Sequence, residues 1–346
     1  MRIWHCLVSV LVAAMIAACA PVVAPQGPRS SEPTLSKTAF VTADALELPL
    51  RRWLPQGHPK AVIVALHGFN DYAKAFDKIP DGALGTGPFL ASQGFAVFAY
   101  DQRGFGGAPH AGLWPGIDAL TGDVRDIVVV LRRTYPGVPL YGLGESMGGA
   151  VLMAAVAETT APLFDGLILA APAVWARSTM PLKYRIALWL GARLTPGLKP
   201  SGRGFGVQAS DNIDLLRHNA RDPLFLKKTR VDSIYGITDL MDEALASTPK
   251  LIIPTLYLYG QNDQLIPKPP TLKALRSFPA QAGLLRLAYY PKGWHIVLRD
   301  HQAETVLGDV AAFIMDPTAP LPSGADQEAL WRLTATLKSK PSKPRP

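Results

Sequence analysis

The chain has 346 residues, 48% of them hydrophobic, enough for one large domain with a substantial core. Its formal net charge of +8 comes with no nucleic-acid-binding motif, and part of it lies in the tail at Lys338, Lys340, Lys343 and Arg345, so no nucleic-acid partner is expected. No cluster of His, Cys and Asp has metal-ligand spacing, so no metal is expected, and no other cofactor.

The N-terminus reads as a processed segment. Arg2 gives a small positive start, and Leu7 to Ala18 is apolar but too short for a permanent membrane span. The stretch ends Ile16-Ala17-Ala18-Cys19, which resembles a bacterial lipobox. The resemblance implies that residues 1–18 are a lipoprotein signal peptide and that Cys19 carries the lipid. Ala20 resembles the sorting signal for the outer membrane of Gram-negative bacteria, which implies a lipid-anchored chain facing the periplasm. An ordinary secretory signal cleaved after Ala18 is the alternative. Cys6 leaves with either signal, so Cys19 becomes the last thiol and no intrachain disulfide is possible. Residues 19–38 are proline-rich without hydrophobic periodicity, which predicts a tether reaching some tens of Å at about 3 Å per residue.

Residues 39–54 read as a hairpin whose second strand is confined to an edge by Pro49. Ala61 to Leu66 is a buried strand running into His67-Gly68-Phe69-Asn70, a loop in which glycine lets the backbone approach a substrate. The Phe69 N–H is a candidate oxyanion donor, and His67 is expected to bond neighbouring loop backbone. Phe95 to Tyr100 is another buried strand, followed by Asp101-Gln102-Arg103-Gly104-Phe105-Gly106. Ile117 to Tyr135 is an amphipathic helix carrying Leu120, Val124, Ile127 and Leu131, stopped by Pro136-Gly137.

Pro139 to Leu143 predicts a strand and Gly149 to Ala157 a helix, and between them stands Gly144-Glu145-Ser146-Met147-Gly148. This G-x-S-x-G in a strand–turn–helix context is a nucleophile elbow: the serine sits on strained backbone, and flanking glycines avoid a clash. Ser146 is then the nucleophile, with the Met147 N–H at a helix N-terminus as the other oxyanion donor. An acid and a base should follow, each beyond the carboxyl end of a later strand. Thr255 to Tyr259 leads into Gly260-Gln261-Asn262-Asp263, and Leu284 to Tyr290 into Pro291-Lys292-Gly293-Trp294-His295. Asp263 and His295 fit; His58, His67 and His110 precede the serine, His218 falls in an insertion, and His301 in the closing helix.

Phe164 to Pro172 is the strand after the elbow helix, and Thr271 to Phe278 and His301 to Phe313 are the last two helices. The alternation of helices with apolar strands predicts a mostly parallel sheet covered on both faces. Residues 175–235 interrupt it, with Leu182, Ile186, Trp189 and Leu190 at helical spacing; their face either lines an acyl-binding tunnel or packs the insertion onto the body. Residues 317–346, rich in Pro, Lys and Ser, read as a mobile tail with a short helix near 327–337.

Together His67-Gly68, Asp101 to Gly106, Gly144 to Gly148, Asp263 and His295 resemble the monoacylglycerol lipase and lysophospholipase branch of the α/β-hydrolases, also called serine aminopeptidase S33-like. The resemblance spans about residues 39–315, departing at His67 to Tyr72, where that branch more often has a Gly-Glu-His type stretch. It implies an α/β-hydrolase domain over 39–316 with a helical cap at 175–235, the triad Ser146–Asp263–His295, and Phe69 and Met147 as oxyanion donors. A single-acyl lipid ester is the implied substrate. A peptidase releasing N-terminal residues and a catalytically silent binding lipoprotein are the alternatives. Dehalogenases and epoxide hydrolases use an aspartate where Ser146 stands.

Overall fold

The computed structural model describes residues 21–77, 84–200, 206–281 and 283–335. Its strands are β1 (Thr34–Leu35), β2 (Ala39–Val41), β3 (Glu47–Trp53), β4 (Ala61–Leu66), β5 (Phe95–Tyr100), β6 (Leu140–Glu145), β7 (Gly166–Ala170), β8 (Thr255–Gly260) and β9 (Leu285–Tyr290). Its α-helices are α1 (Thr86–Ser92), α2 (Ile117–Thr134), α3 (Met147–Ala157), α4 (Leu182–Leu194), α5 (Ile213–Arg221), α6 (Val231–Ser247), α7 (Lys268–Ser277), α8 (Ala303–Met315) and α9 (Ala329–Ala335).

The strands form one sheet in the order β1-β2-β3-β5-β4-β6-β7-β8-β9. Pairing is antiparallel from β1 to β5 and parallel from β5 to β9. The continuous apolar runs follow from burial on both faces. Val62, Val64 and Leu66 enter a core shared with α2, α3 and α6, while Ala61, Ile63 and Ala65 enter another shared with α1 and α8. This is the α/β-hydrolase fold, and it sets the carboxyl ends of β4, β6, β8 and β9 along one rim.

Pro49 does not mark an edge, because β3 lies between β2 and β5. The β3–β5 ladder begins at Leu50–Tyr100, so the missing Pro49 N–H lies beyond it, and the Pro49 carbonyl still accepts from Asp101 N–H at 2.9 Å.

The proline-rich segment is no free tether from residue 21 onward. Val23 bridges to Trp114, Ala24 N–H donates to the Trp114 carbonyl at 2.8 Å, and Val22 N–H donates to Asp232 Oδ2 at 3.3 Å. Arg29 donates to Asp126 Oδ1, and Asp126 Oδ2 accepts from Ala43 N–H at 2.7 Å. These single contacts, spaced irregularly, leave no periodic trace in the sequence, so the segment is a strap that composition alone disguises. A chain beginning at Ser36 is therefore expected to melt about 3–5 °C below one beginning at Pro21, since losing Arg29 strands the buried Asp126 and uncovers Trp114, a loss of roughly 2–3 kcal/mol. Equal melting temperatures would mean the strap packs without stabilising.

The segment from 317 to 335 is also folded onto the body. Leu321, Ala325, Ala329 and Leu333 are buried, the Ala325 carbonyl accepts from Tyr289 N–H at 2.9 Å, and Asp326 pairs with Arg286 at 2.6 Å. It covers the open edge of β9, an edge that would otherwise offer unpaired backbone. The signal segment, Cys19 and residues 336–346 lie outside the described residues. Among the described residues no helix is long and apolar enough to cross a membrane.

Between β7 and β8 stand α4, α5 and α6. The expected cap boundary at 235 falls inside α6, which runs unbroken to Ser247 and buries Ile237, Leu240 and Ala244 in the same core as α3. The cap thus gives way to the body near the start of α6.

Candidate active site

Ser146 occupies the turn between β6 and α3 with φ 52° and ψ −111°, a sparsely populated positive-φ conformation that costs a residue with a Cβ about 1–3 kcal/mol. The turn is fixed on both sides: Ser146 N–H donates to the Ala170 carbonyl at 2.9 Å, and its carbonyl accepts from Ala173 N–H at 2.9 Å. The flanking glycines are there for close approach. A Cβ on Gly144 would lie 2.4 Å from Gly149 N, and one on Gly148 would lie 2.1 Å from the Leu66 carbonyl oxygen. The Met147 N–H opens α3, so no carbonyl earlier in that helix can accept from it.

Asp263 and His295 meet as the sequence predicts. His295 Nδ1 lies 2.9 Å from Asp263 Oδ2, and Asp263 Oδ1 accepts from Leu265 and Ile266 N–H at 2.8 and 2.9 Å. The loops bearing them are tied by Asn262 N–H donating to the Gly293 carbonyl at 2.9 Å. With the carboxylate holding Nδ1–H, Nε2 is the basic nitrogen. Burial alone would push this imidazole down, but the Asp263 carboxylate, with Glu145 and Asp300 behind it, outweighs burial and leaves its pKa above the ordinary value.

His67 has the structural role expected of it. Its Nε2 accepts from Gln102 N–H at 2.9 Å, so Nδ1 carries the proton and donates to the Gly68 carbonyl at 2.8 Å. Complete burial pushes its pKa down and keeps the ring neutral. Phe69 follows on the same loop, its ring packed edge-on to Phe105 and Trp114. The loop then turns through Asn70 at φ 67°, whose carbonyl accepts from Leu226 N–H at 2.9 Å and whose amide donates to Thr229 Oγ1 at 2.7 Å. The cap therefore clasps the loop that bears one expected oxyanion donor.

Leu182, Ile186 and Trp189 share a face of α4, yet that face points outward, with exposures of 63%, 50% and 49%. They line an open groove with Arg177, Arg185, Leu190 and Tyr235, into which neither Ser146, Asp263 nor His295 projects. The helix packs on α6 through its other side, where Ala192 is buried and Gly191 approaches Val231. The expected tunnel lining is thus a surface ridge, because α4's small residues, rather than its large ones, permit close approach to α6.

Sequence reasoning missed a buried ion cluster beneath the site. Arg299 Nη2 donates to Asp71 Oδ2 at 2.8 Å and to Glu145 Oε1 at 2.5 Å. The signal available was a charged residue at the variable position of the elbow, and Arg299-Asp300 following the apolar Ile296-Val297-Leu298.

The sequence matches the serine aminopeptidase S33 family over residues 57–302. The chain belongs to this family. It is 28% identical to the monoglyceride lipase of Rattus norvegicus over 266 residues, covering 75% of this chain and 84% of that one. It is 25% identical to the monoacylglycerol lipase of Mycolicibacterium smegmatis, covering 82% and 98%. The crystal structure of the Paleococcus ferrophilus monoacylglycerol lipase superposes with a TM-score of 0.65 at 19% identity, over 79% of this chain and all of that one. This S33-family hydrolase carries its histidine–aspartate pair on the rim where the fold places functional groups, with Ser146 on the same rim.

Proposed function

We propose that this protein is a membrane-associated serine hydrolase that cleaves the carboxylic ester of single-acyl lipids, monoacylglycerols or lysophospholipids. The observation that carries the reading is Ser146 held at φ 52° between glycines, on a rim shared with an imidazole anchored at 2.9 Å by Asp263. His295 Nε2 takes the Ser146 proton as Oγ attacks the ester carbonyl. The N–H groups of Phe69 and Met147 hold the oxyanion, the latter helped by the N-terminal dipole of α3. The carbonyl–oxygen bond to the alcohol then breaks, the alcohol leaves with the proton from His295, and water attacks the acyl-enzyme by the reverse proton route. Asp263 orients the ring and stabilises its cation.

The similarity to monoglyceride and monoacylglycerol lipases supports a lipid ester over a peptide. A peptidase needs a carboxylate to hold an α-ammonium; of the acidic residues after the elbow helix and in the cap, Glu158 pairs with Arg125 and Asp214 with Arg217. The exposed ridge of α4 supports work at a membrane, since it carries Lys183, Arg185 and Arg193 and no acidic residue. The strap begins beside it. Val22 is bonded to Asp232 at the start of α6, and Val231 N–H donates to the Leu198 carbonyl just after α4 at 2.9 Å. A lipid on Cys19 would then hold the body within a few residues of the bilayer.

Turnover of monoacylglycerols, lysophospholipids and aminoacyl-anilides, with intact-mass analysis of the mature chain, tests both halves. Hydrolysis of the lipids and a diacylated or triacylated Cys19 are expected. Turnover of the anilides alone would overturn the substrate, a free N-terminus beyond Cys19 would overturn the anchor, and failure of a fluorophosphonate to label Ser146 would indicate a silent binding protein.

A further inference from the structure

Three loops converge on the expected reaction centre, and one guanidinium touches two of them from the third. Glu145 immediately precedes the nucleophile, Asp71 lies two residues after Phe69, and Arg299 lies four residues after His295. All three are nearly inaccessible, at 3%, 6% and 3% exposure. The oxyanion loop also passes close to the elbow, because a Cβ added to Gly68 would lie 3.5 Å from Ser146 Cβ and 3.6 Å from Glu145 Oε1. A buried carboxylate is costly without a cation, and here two carboxylates share one.

We propose that Arg299 is a positioning residue whose guanidinium locks the elbow, the oxyanion loop and the histidine loop in register and cancels carboxylate charge facing His295. This rests on the serine-hydrolase reading given above. A change of about 1 Å in the relative placement of these loops is enough to cost on the order of 10²-fold in rate. The charge effect has a defined sign. His295 is faced by Asp263 from the loop after β8, by Glu145 from the end of β6, and by Asp300 from its own segment, with Arg299 bonded to Glu145. Asp71 and neutral His67 lie on the neighbouring oxyanion loop, and Asp211 faces Asp300 from the cap. Carboxylates favour the imidazolium, which is inactive as a base, so removing Glu145's charge lowers the pH at which the base is freed, and removing Arg299's charge raises it.

The test is the pH dependence of kcat/KM on a soluble chromogenic ester, with active enzyme counted by fluorophosphonate labelling. Arg299→Met is expected to lose about 10–100-fold and to move the acid limb upward by roughly half to one pH unit. Arg299→Lys, which keeps a cation but not the fork, should restore the limb's position more than the rate. Glu145→Gln is expected to move the limb down by a similar amount, and it keeps the inference falsifiable if Arg299→Met fails to fold. Burial pushes Asp300 up to about 7 despite bonds from Ser210 Oγ and Trp294 N–H, so each profile is repeated with Asp300→Asn. A Glu145→Gln limb that superimposes on wild type, or an Arg299→Met enzyme with the wild-type rate and limb, would overturn the inference. Absence of ester hydrolysis in the wild type would instead overturn the functional reading beneath it.

Discussion

Replacing Ser146 with alanine is expected to cut ester hydrolysis by about 10⁴-fold or more while leaving the melting temperature within about 2 °C of wild type. The geometry makes this an unusually clean substitution. Serine and alanine both carry a Cβ, so each bears the same positive-φ strain at φ 52°, and the Ser146 hydroxyl caps nothing in α3. What holds the turn is backbone: the Ser146 N–H on Ala170 and its carbonyl under Ala173 and Ala150. Only the attacking oxygen disappears. The residual rate should approach what oxyanion donors and binding supply without a nucleophile, and fluorophosphonate labelling should vanish. Rates equal to wild type on a short-chain ester would remove Ser146 from the chemistry and the proposed function with it.

Ser146 was legible because every requirement on it is local. A short apolar strand, glycines two residues to either side and an apolar helix all fall within twenty residues, and the strained turn follows from them. Asp263 and His295 were legible because parallel strands buried on both faces announce themselves as unbroken apolar runs, and function gathers where such runs end. Arg299 was not, since its partners Asp71 and Glu145 lie 228 and 154 positions away and a buried charge has no periodicity. The strap escaped for a similar reason: four prolines in thirteen residues describe a chain without helix or ladder, which is true of Pro21 to Pro33, yet say nothing about what it lies on. The stripe on α4 shows a different limit. Periodicity identified Leu182, Ile186 and Trp189 as one face but not its direction, and close packing chose the small-residue side at Gly191 and Ala192 for α6.

Gly148→Ala sets two physical effects against each other, and the expected result is a loss of roughly 3 kcal/mol or more, or no soluble protein. Helix propensity alone predicts the opposite sign, because Gly148 lies in the first turn of α3 and alanine is favoured over glycine there by up to about 1 kcal/mol. The steric effect is larger. An added Cβ would sit 2.1 Å from the Leu66 carbonyl oxygen and 2.5 Å from its carbon, and backbone at the buried end of β4 cannot swing aside as a side-chain tip can. Relief requires α3 to back away from β4, carrying the Met147 N–H with it, so any folded variant should also lose rate. Gly308→Ala is the control, since that glycine lies within α8 with no atom inside 4 Å of its added Cβ. There propensity acts unopposed, and a gain of up to about 1 kcal/mol is expected from thermal or urea unfolding. If both substitutions stabilise, α3 does not lie against β4 as closely as a nucleophile elbow needs.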